Sequence, residues 1–145
     1  MTELEKMMSG QVFDGMDKEI DAIRTQATLA LRAFNNNTDE SKRDELQKRL
    51  FGKAGLCIVQ APFHCEFGKT IEIGEETFIN MNVVMLDGAK ITIGNHVLIG
   101  PSVQLYTASH SVDYRSRRRW ENVFVNPSRL KMMCGLAVTP SLTKV

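Results

Sequence analysis

Residues Gly88–His110 read GAKITIGNHVLIGPSVQLYTASH. Two isoleucine–glycine pairs, Ile93-Gly94 and Ile99-Gly100, stand six residues apart, and the run ends on a histidine in a polar setting. Upstream the same beat is kept by Ile73-Gly74, Ile79-Asn80 and Met85-Leu86. It slips by two residues at Asp87-Gly88, resumes, and reaches Leu105-Tyr106. A strand alternates with period two, so an aliphatic at every sixth position is compatible with strands in general, a plain antiparallel sheet included. The recurring small or polar residue behind it is not explained that way. Hexads of this kind predict very short strands joined by tight turns and stacked as a parallel β-helix. The aliphatic side chain then points into the bore. Glycine or asparagine follows because the turn crowds a Cβ and calls for a positive φ.

The chain ahead of the hexads reads differently. Apolar residues at Ile20, Ile23, Ala27, Leu31 and Phe34 recur at three and four, which predicts a helix from Asp17 to Phe34. Asn35-Asn36-Asn37 breaks it. Thr38 offers an N-cap oxygen to a second, highly charged helix from Asp39 to about Phe51, with Leu46 and Leu50 as its apolar pair and Gly52 and Gly55 ending it. GLCIVQAPFHCEF, from Gly55, has the short apolar pieces and proline break of irregular strands. The reading is therefore an N-terminal helical element over 1–54, β-helix coils with an active-site loop over 55–121, and a divergent tail over 122–145.

Bulk properties narrow the function. The 145 residues suffice for one domain, and a hydrophobic content of 43% supports a packed core. The formal net charge of +1 gives no case for a nucleic-acid surface. Arg115-Ser116-Arg117-Arg118-Arg119 is the one basic cluster, fit for a solvated loop or for a phosphate-bearing ligand. No apolar run approaches the ~18 residues of a membrane span. The N-terminus MTELEKMMSGQVF lacks the pattern of a signal peptide. Cys57, Cys65 and Cys134 are odd in number and lack metal spacing, which suits a reducing interior. A cytoplasmic protein without a bound metal is expected. His64, His96 and His110 lack the spacing of a three-histidine metal site.

In this order MMSGQVFDGMDKEI, LRAFNNN, APFHCEFGKTIEIG and FINMNVVMLDGAKITIGNHVLIGPSVQLYTASH form a specific set, followed faintly by SVDYRSRRRWE. Over about Met8–Glu121 the sequence resembles the maltose/galactoside O-acetyltransferase family, within the hexapeptide-repeat acyltransferases. The resemblance implies a left-handed parallel β-helix with an N-terminal helical element. It also implies an enzyme that moves acetyl from acetyl-coenzyme A to a sugar hydroxyl, working as a homotrimer with active sites between neighbouring chains. Carried over residue by residue, it makes His110 the general base and Glu121 its partner carboxylate. Asn80 matches the asparagine of the acceptor pocket, and Asp17 the acidic residue of the N-terminal element. Asp87 falls at an acidic position near that pocket. Phe78 stands where the family often has tyrosine, so a hydroxyl is missing there.

These residue types suit that chemistry. A sugar hydroxyl attacks a thioester only if a base removes its proton as the bond forms. A histidine with an ordinary pKa near 6.5 is neutral enough at pH 7 to do so. A carboxylate on its other ring nitrogen holds the tautomer and favours the imidazolium. Glu121 lies eleven residues from His110, so a loop has to fold back. Direct transfer in a ternary complex is expected, with no acylated serine or cysteine. Asp17 has a second reading, as the cap of the first helix.

After Glu121 the pattern departs. NVFVNPSRLKMMCGLAVTPSLTKV shows neither hexads nor a convincing helix, where the family resumes with further coils that carry much of the coenzyme A surface. It reads as a truncated or divergent ending. The alternative function is accordingly a noncatalytic structural or binding remnant of the same family.

Overall fold

The computed structural model describes residues 1–109, 122–125 and 128–130. Helix α1 (Glu3–Met8) starts at a capping box in which Thr2 and Glu5 satisfy each other's amides. A short strand β1 (Phe13–Asp14) leads to α2 (Lys18–Asn35), capped by Asp17, whose carboxylate accepts from the Glu19 and Ile20 amides. The expected second helix is shorter than its charge pattern suggests. A 3-10 turn at Glu40–Lys42 precedes α3 (Arg43–Leu50), and Asp39 rather than Thr38 supplies the capping oxygen, to the Ser41 amide at 3.0 Å.

Eight strands then wind the coils: β2 (Lys53–Ala54), β3 (Ile58–Val59), β4 (Phe63–Cys65), β5 (Ile71–Ile73), β6 (Phe78–Ile79), β7 (Val83–Leu86), β8 (Ile91–Ile93) and β9 (Leu98–Ile99). They are followed by β10 (Gln104–Tyr106), β11 (Ala108–Ser109), β12 (Asn122–Val125) and β13 (Ser128–Leu130). Three faces form, with orders β13-β8-β5-β2, β3-β6-β9 and β10-β7-β4, and every pairing within them is parallel. The register pairs a residue with the one a coil ahead: Phe63 with Val83, Ile71 with Ile91, Phe78 with Leu98.

That register explains the slip in the hexads. Two corners of each coil are spanned in six residues, and the third corner takes two more. The interruption at Asp87-Gly88 is the corner of the second coil, and Phe67-Gly68 is its counterpart in the first. Ile73, Ile79, Met85, Ile93, Ile99 and Leu105 are all at most 3% exposed and fill the bore.

The structure corrects the explanation given for the glycines. Positive φ falls at Glu76, Asn82, His96 and Ser102, each three residues after an inward aliphatic, and not at the glycine. Gly74 answers to stacking instead. A Cβ there would lie 2.3 Å from Asn95 Oδ1 and 2.6 Å from the Gly94 carbonyl of the coil above. Glycine is required because adjacent coils touch at this point, not because the backbone turns left-handed.

The helices close the first coil. Ala30, Phe34, Leu50 and Phe51 belong to the same buried cluster as the coil aliphatics. Phe51 packs edge-on against Phe63 and Phe34, with ring centroids 5.4 and 6.4 Å away. Gln47 is buried and spans to the first coil, donating to the Cys57 carbonyl at 3.1 Å and accepting the Val59 amide at 2.9 Å. A second cluster of Met7, Phe13, Ile20, Phe67 and Ala89 seats α1, β1 and α2 against the wide corners.

The segment expected to lack repeats also joins the fold. Strand β13 stacks in parallel on β8, pairing Leu130 with Ile93, so this face continues one coil further. Three residues without a neighbouring hexad give no periodicity to read. No described helix is long and apolar enough to cross a membrane.

Candidate active site

A three-stranded antiparallel sheet in the order β1-β12-β11 flanks the ends of the segment that carries the candidate site. Strand β11 leaves the third coil and ends at Ser109, paired with Phe124. Strand β12 begins at Asn122 and returns beside it, while β1 lies on its other side, pairing Asp14 with Asn122 and Phe13 with Val123. One ladder therefore gathers the end of the coils, the returning strand and the N-terminal element. His110 follows β11 directly and Glu121 directly precedes β12. Both lie outside the described residues, as does the basic cluster Arg115–Arg119.

Among the other residues singled out from sequence, the structure shows which carboxylates are engaged by the scaffold. Asp87 is a correction. It is 0% exposed, and its Oδ1 accepts the Glu66 and Phe67 amides at 2.8 and 3.0 Å. Its Oδ2 accepts the Gly68 amide at 2.7 Å and the Thr70 hydroxyl at 2.6 Å. A carboxylate occupied this way ties one wide corner to the next and has nothing left for an acceptor.

Asp17 holds its oxygen on the amides at the start of α2, at 2.9 and 3.3 Å, which is the capping alternative. The acidic side chain that lies in the site-framing sheet is Asp14, which the sequence reading passed over. Its neighbours are ordered: the Asp14 amide donates to Glu3 Oε2 at 2.6 Å, and Asp14 Oδ1 accepts the Met16 amide at 2.8 Å. The pairing with Asn122 could not be read from spacing, because it joins residues more than a hundred positions apart.

Phe78 and Asn80 sit elsewhere, on and just after β6 in the β3-β6-β9 face. Phe78 is half-buried and lines a groove of about 290 Å³ shared with Arg43, Leu56, Ile58 and Glu76. Asn80 Oδ1 accepts the Met81 amide at 2.8 Å, leaving its NH2 group outward. In one chain, then, the framing sheet and the Phe78–Asn80 pair belong to different faces. His64 is exposed on β4, and His96 occupies an exposed corner with Nδ1 3.0 Å from Glu76 Oε2. Among the described residues no three histidine, cysteine, aspartate or glutamate side chains gather as a metal site.

The thiols are quiet. Burial pushes the Cys57 thiol up to about 11, with Asp44 and Glu75 adding to the shift. Burial raises Cys65 further, helped by Asp87 and Glu66. Neither supplies a thiolate near neutral pH.

The comparisons agree with this geometry. The Mac pattern, described as maltose acetyltransferase hexapeptide capping motif, matches residues 6–55. A hexapeptide-repeat acetyltransferase of Vibrio cholerae, solved in complex with acetyl coenzyme A, is 61% identical. The match covers 88% of this chain and 69% of that one, with a TM-score of 0.80. The chain belongs to the hexapeptide-repeat acetyltransferase family. Its fold is the family's left-handed parallel β-helix, capped by an N-terminal helical element. A maltose O-acetyltransferase from Clostridium difficile superposes with a TM-score of 0.84 at 35% identity, over 88% of this chain and 69% of that chain. Nodulation protein L of Rhizobium meliloti is 38% identical over 123 residues, 81% of this chain and 66% of that protein. The chain spans under two thirds of the length of the curated relatives compared.

Proposed function

We propose that the chain transfers acetyl from acetyl-coenzyme A to the hydroxyl of a sugar of the maltose or galactoside kind. The observation that carries this reading is the β1-β12-β11 sheet, which joins the strand ending just before His110, the strand starting just after Glu121 and the N-terminal element. His110 takes the proton of the acceptor hydroxyl as its oxygen attacks the thioester carbonyl. The carbon–sulfur bond then breaks, and the thiolate receives that proton. Glu121 holds the imidazole and favours its cationic form. The cosubstrate is taken from the solved Vibrio cholerae relative and the sugar from the maltose O-acetyltransferase relative.

The acceptor pocket draws on Asp14 from the framing sheet and on Phe78 and Asn80 from the β3-β6-β9 face. Their separation within one chain supports a site built between chains. The same face carries exposed apolar side chains: Leu56 is 72% exposed, Ile58 41%, Met81 47% and Leu98 47%. A ladder of that kind marks an interaction surface. Closed three-fold symmetry would repeat the pairing of the two half-sites, so the working form is a homotrimer. Unpaired Cys57 and Cys65 suit a reducing compartment, which supports a cytoplasmic reading.

Incubation of the chain with acetyl-coenzyme A and maltose, methyl glucosides or galactosides, following thiol release, tests the reading. Acceptor-dependent release from a trimeric species supports it. Absence of coenzyme A binding in calorimetric titration selects the noncatalytic alternative, and micromolar binding argues against it.

A further inference from the structure

Arg24 makes three contacts that no part of the proposed chemistry uses. Its Nε donates to Glu66 Oε1 at 2.8 Å, and its Nη1 donates to the Gly15 carbonyl at 2.7 Å. The guanidinium carbon lies 5.3 Å from the centre of the Phe67 ring. Arg24 projects from the second turn of α2, Gly15 directly follows β1, and Glu66 and Phe67 form the wide corner of the first coil. The backbone of Glu66 is itself held, because its amide donates to buried Asp87. A continuous run of polar contacts therefore passes from the coil through Glu66 and Arg24 to the Gly15 carbonyl.

What that carbonyl controls decides the meaning of the run. Gly15 is next to Asp14, and Asp14 pairs with Asn122 at the start of β12. The path from guanidinium to the first residue of the returning strand is one carbonyl, one residue and one ladder pair. We propose that Arg24 is a positioning residue: it fixes β1, and through β1 the register of β12, against the coils. Glu3 grips the same strand from the other side through the Asp14 amide, so β1 is held at two points. Only an arginine can serve here. The Glu66 carboxylate and the Gly15 carbonyl take separate N–H groups of one rigid plane, and that plane stacks on Phe67. A lysine has one nitrogen and no plane. With both side chains only 27% and 29% exposed, the pair is shielded enough to hold its geometry.

The kinetic arm of the test rests on the acetyl-transfer reading; the exchange arm does not. In Arg24→Lys, amide hydrogen exchange of the peptide carrying Asn122–Val125 should speed at least about tenfold, while that of Val83–Leu86 stays within about twofold, because the opening is local. Turnover with a sugar acceptor should fall at least about tenfold with the acetyl-coenzyme A KM unchanged, since misplacement of the framing sheet costs orientation rather than donor binding. Glu66→Gln keeps an acceptor for Nε and should show the same pattern more weakly; it stands in if Arg24→Lys does not fold. Unchanged exchange at β12, or equal acceleration in both peptides, overturns the proposal. So does a fall in turnover matched by loss of donor affinity. If the unaltered protein shows no transfer at all, the acetyl-transfer reading fails, and localised exchange at β12 still upholds the clamp.

Discussion

Asp87 lies one coil above Phe67, and its buried Oδ1 receives the Phe67 amide at 3.0 Å. With the Glu66 and Gly68 amides and the Thr70 hydroxyl, the one carboxylate satisfies a whole backbone corner that faces the protein interior. Replacing it by alanine strands buried amides without a partner. Asp87→Ala should lose about 3 kcal/mol or more, since hydrogen bonds to charged groups contribute about 1.5–3 kcal/mol each. Asp87→Asn should lose less, because one oxygen still accepts. Urea unfolding of both variants checks the order, and an Asp87→Ala protein as stable as the parent would remove the structural role assigned to this carboxylate.

Glu76 and His96 occupy the same corner in successive coils, both with positive φ, at 52° and 56°. Their contact is solvent-exposed, with side chains 70% and 57% accessible, so it adds little and backbone strain dominates. A β-branched residue fits this backbone region worst. His96→Val should lose about 1–2 kcal/mol, against a change within about 0.5 kcal/mol for His96→Asn, which tolerates the left-handed region. Thermal unfolding of the two variants measures the difference.

The hexads made the bore legible because each of these aliphatics answers to one local rule, an inward-pointing side chain at every sixth residue between the wide corners. Ile73, Ile79, Ile93 and Ile99 obey it, and the β-helix follows. The wide corner was half legible. Its two extra residues were visible at Asp87-Gly88, but the first coil shows them at Phe67-Gly68 without an acidic residue, so the recurrence was hidden. Asp87 looked like a binding residue because a lone aspartate in an apolar repeat has two uses, and only the bonds to Glu66, Phe67 and Gly68 choose between them. Asp14 and Arg24 were invisible for the opposite reason. Their partners, Asn122 and Glu66, are brought near by the fold and not by any local period.

Cys57 gives the chain an alkaline limit. Its thiol titrates at about 11 in the folded protein, above an ordinary value of 9.0, chiefly because it is buried. Between those values the unfolded chain has released a proton that the folded chain still holds. Stability is therefore intact below about pH 9 and falls as pH rises toward 11. Cys57→Ala removes that contribution and should make the decline shallower over the same window, buried Cys65 supplying the remainder. Denaturant unfolding from pH 8 to 11 compares the slopes, and parallel slopes would show that the thiol is not responsible.

His110 carries the largest functional prediction. It follows Ser109, the last residue of β11, and so comes after the inward positions that fill the bore. Its replacement by alanine should leave the coils and the oligomeric state unchanged, which circular dichroism and light scattering verify. On the proposed mechanism it removes the base that accepts the hydroxyl proton, and general-base catalysis contributes about 10²–10⁴-fold. Turnover with a sugar acceptor should fall by at least about two orders of magnitude, with coenzyme A binding changed little. Glu121→Gln should cost less, because the imidazole remains and only its orientation and charge balance suffer. The order matters more than either value: a carboxylate that steers a base cannot matter more than the base. If a folded His110→Ala protein keeps near-normal turnover, the proton leaves by another group, and the role assigned to His110 is wrong even where acetyl transfer is real.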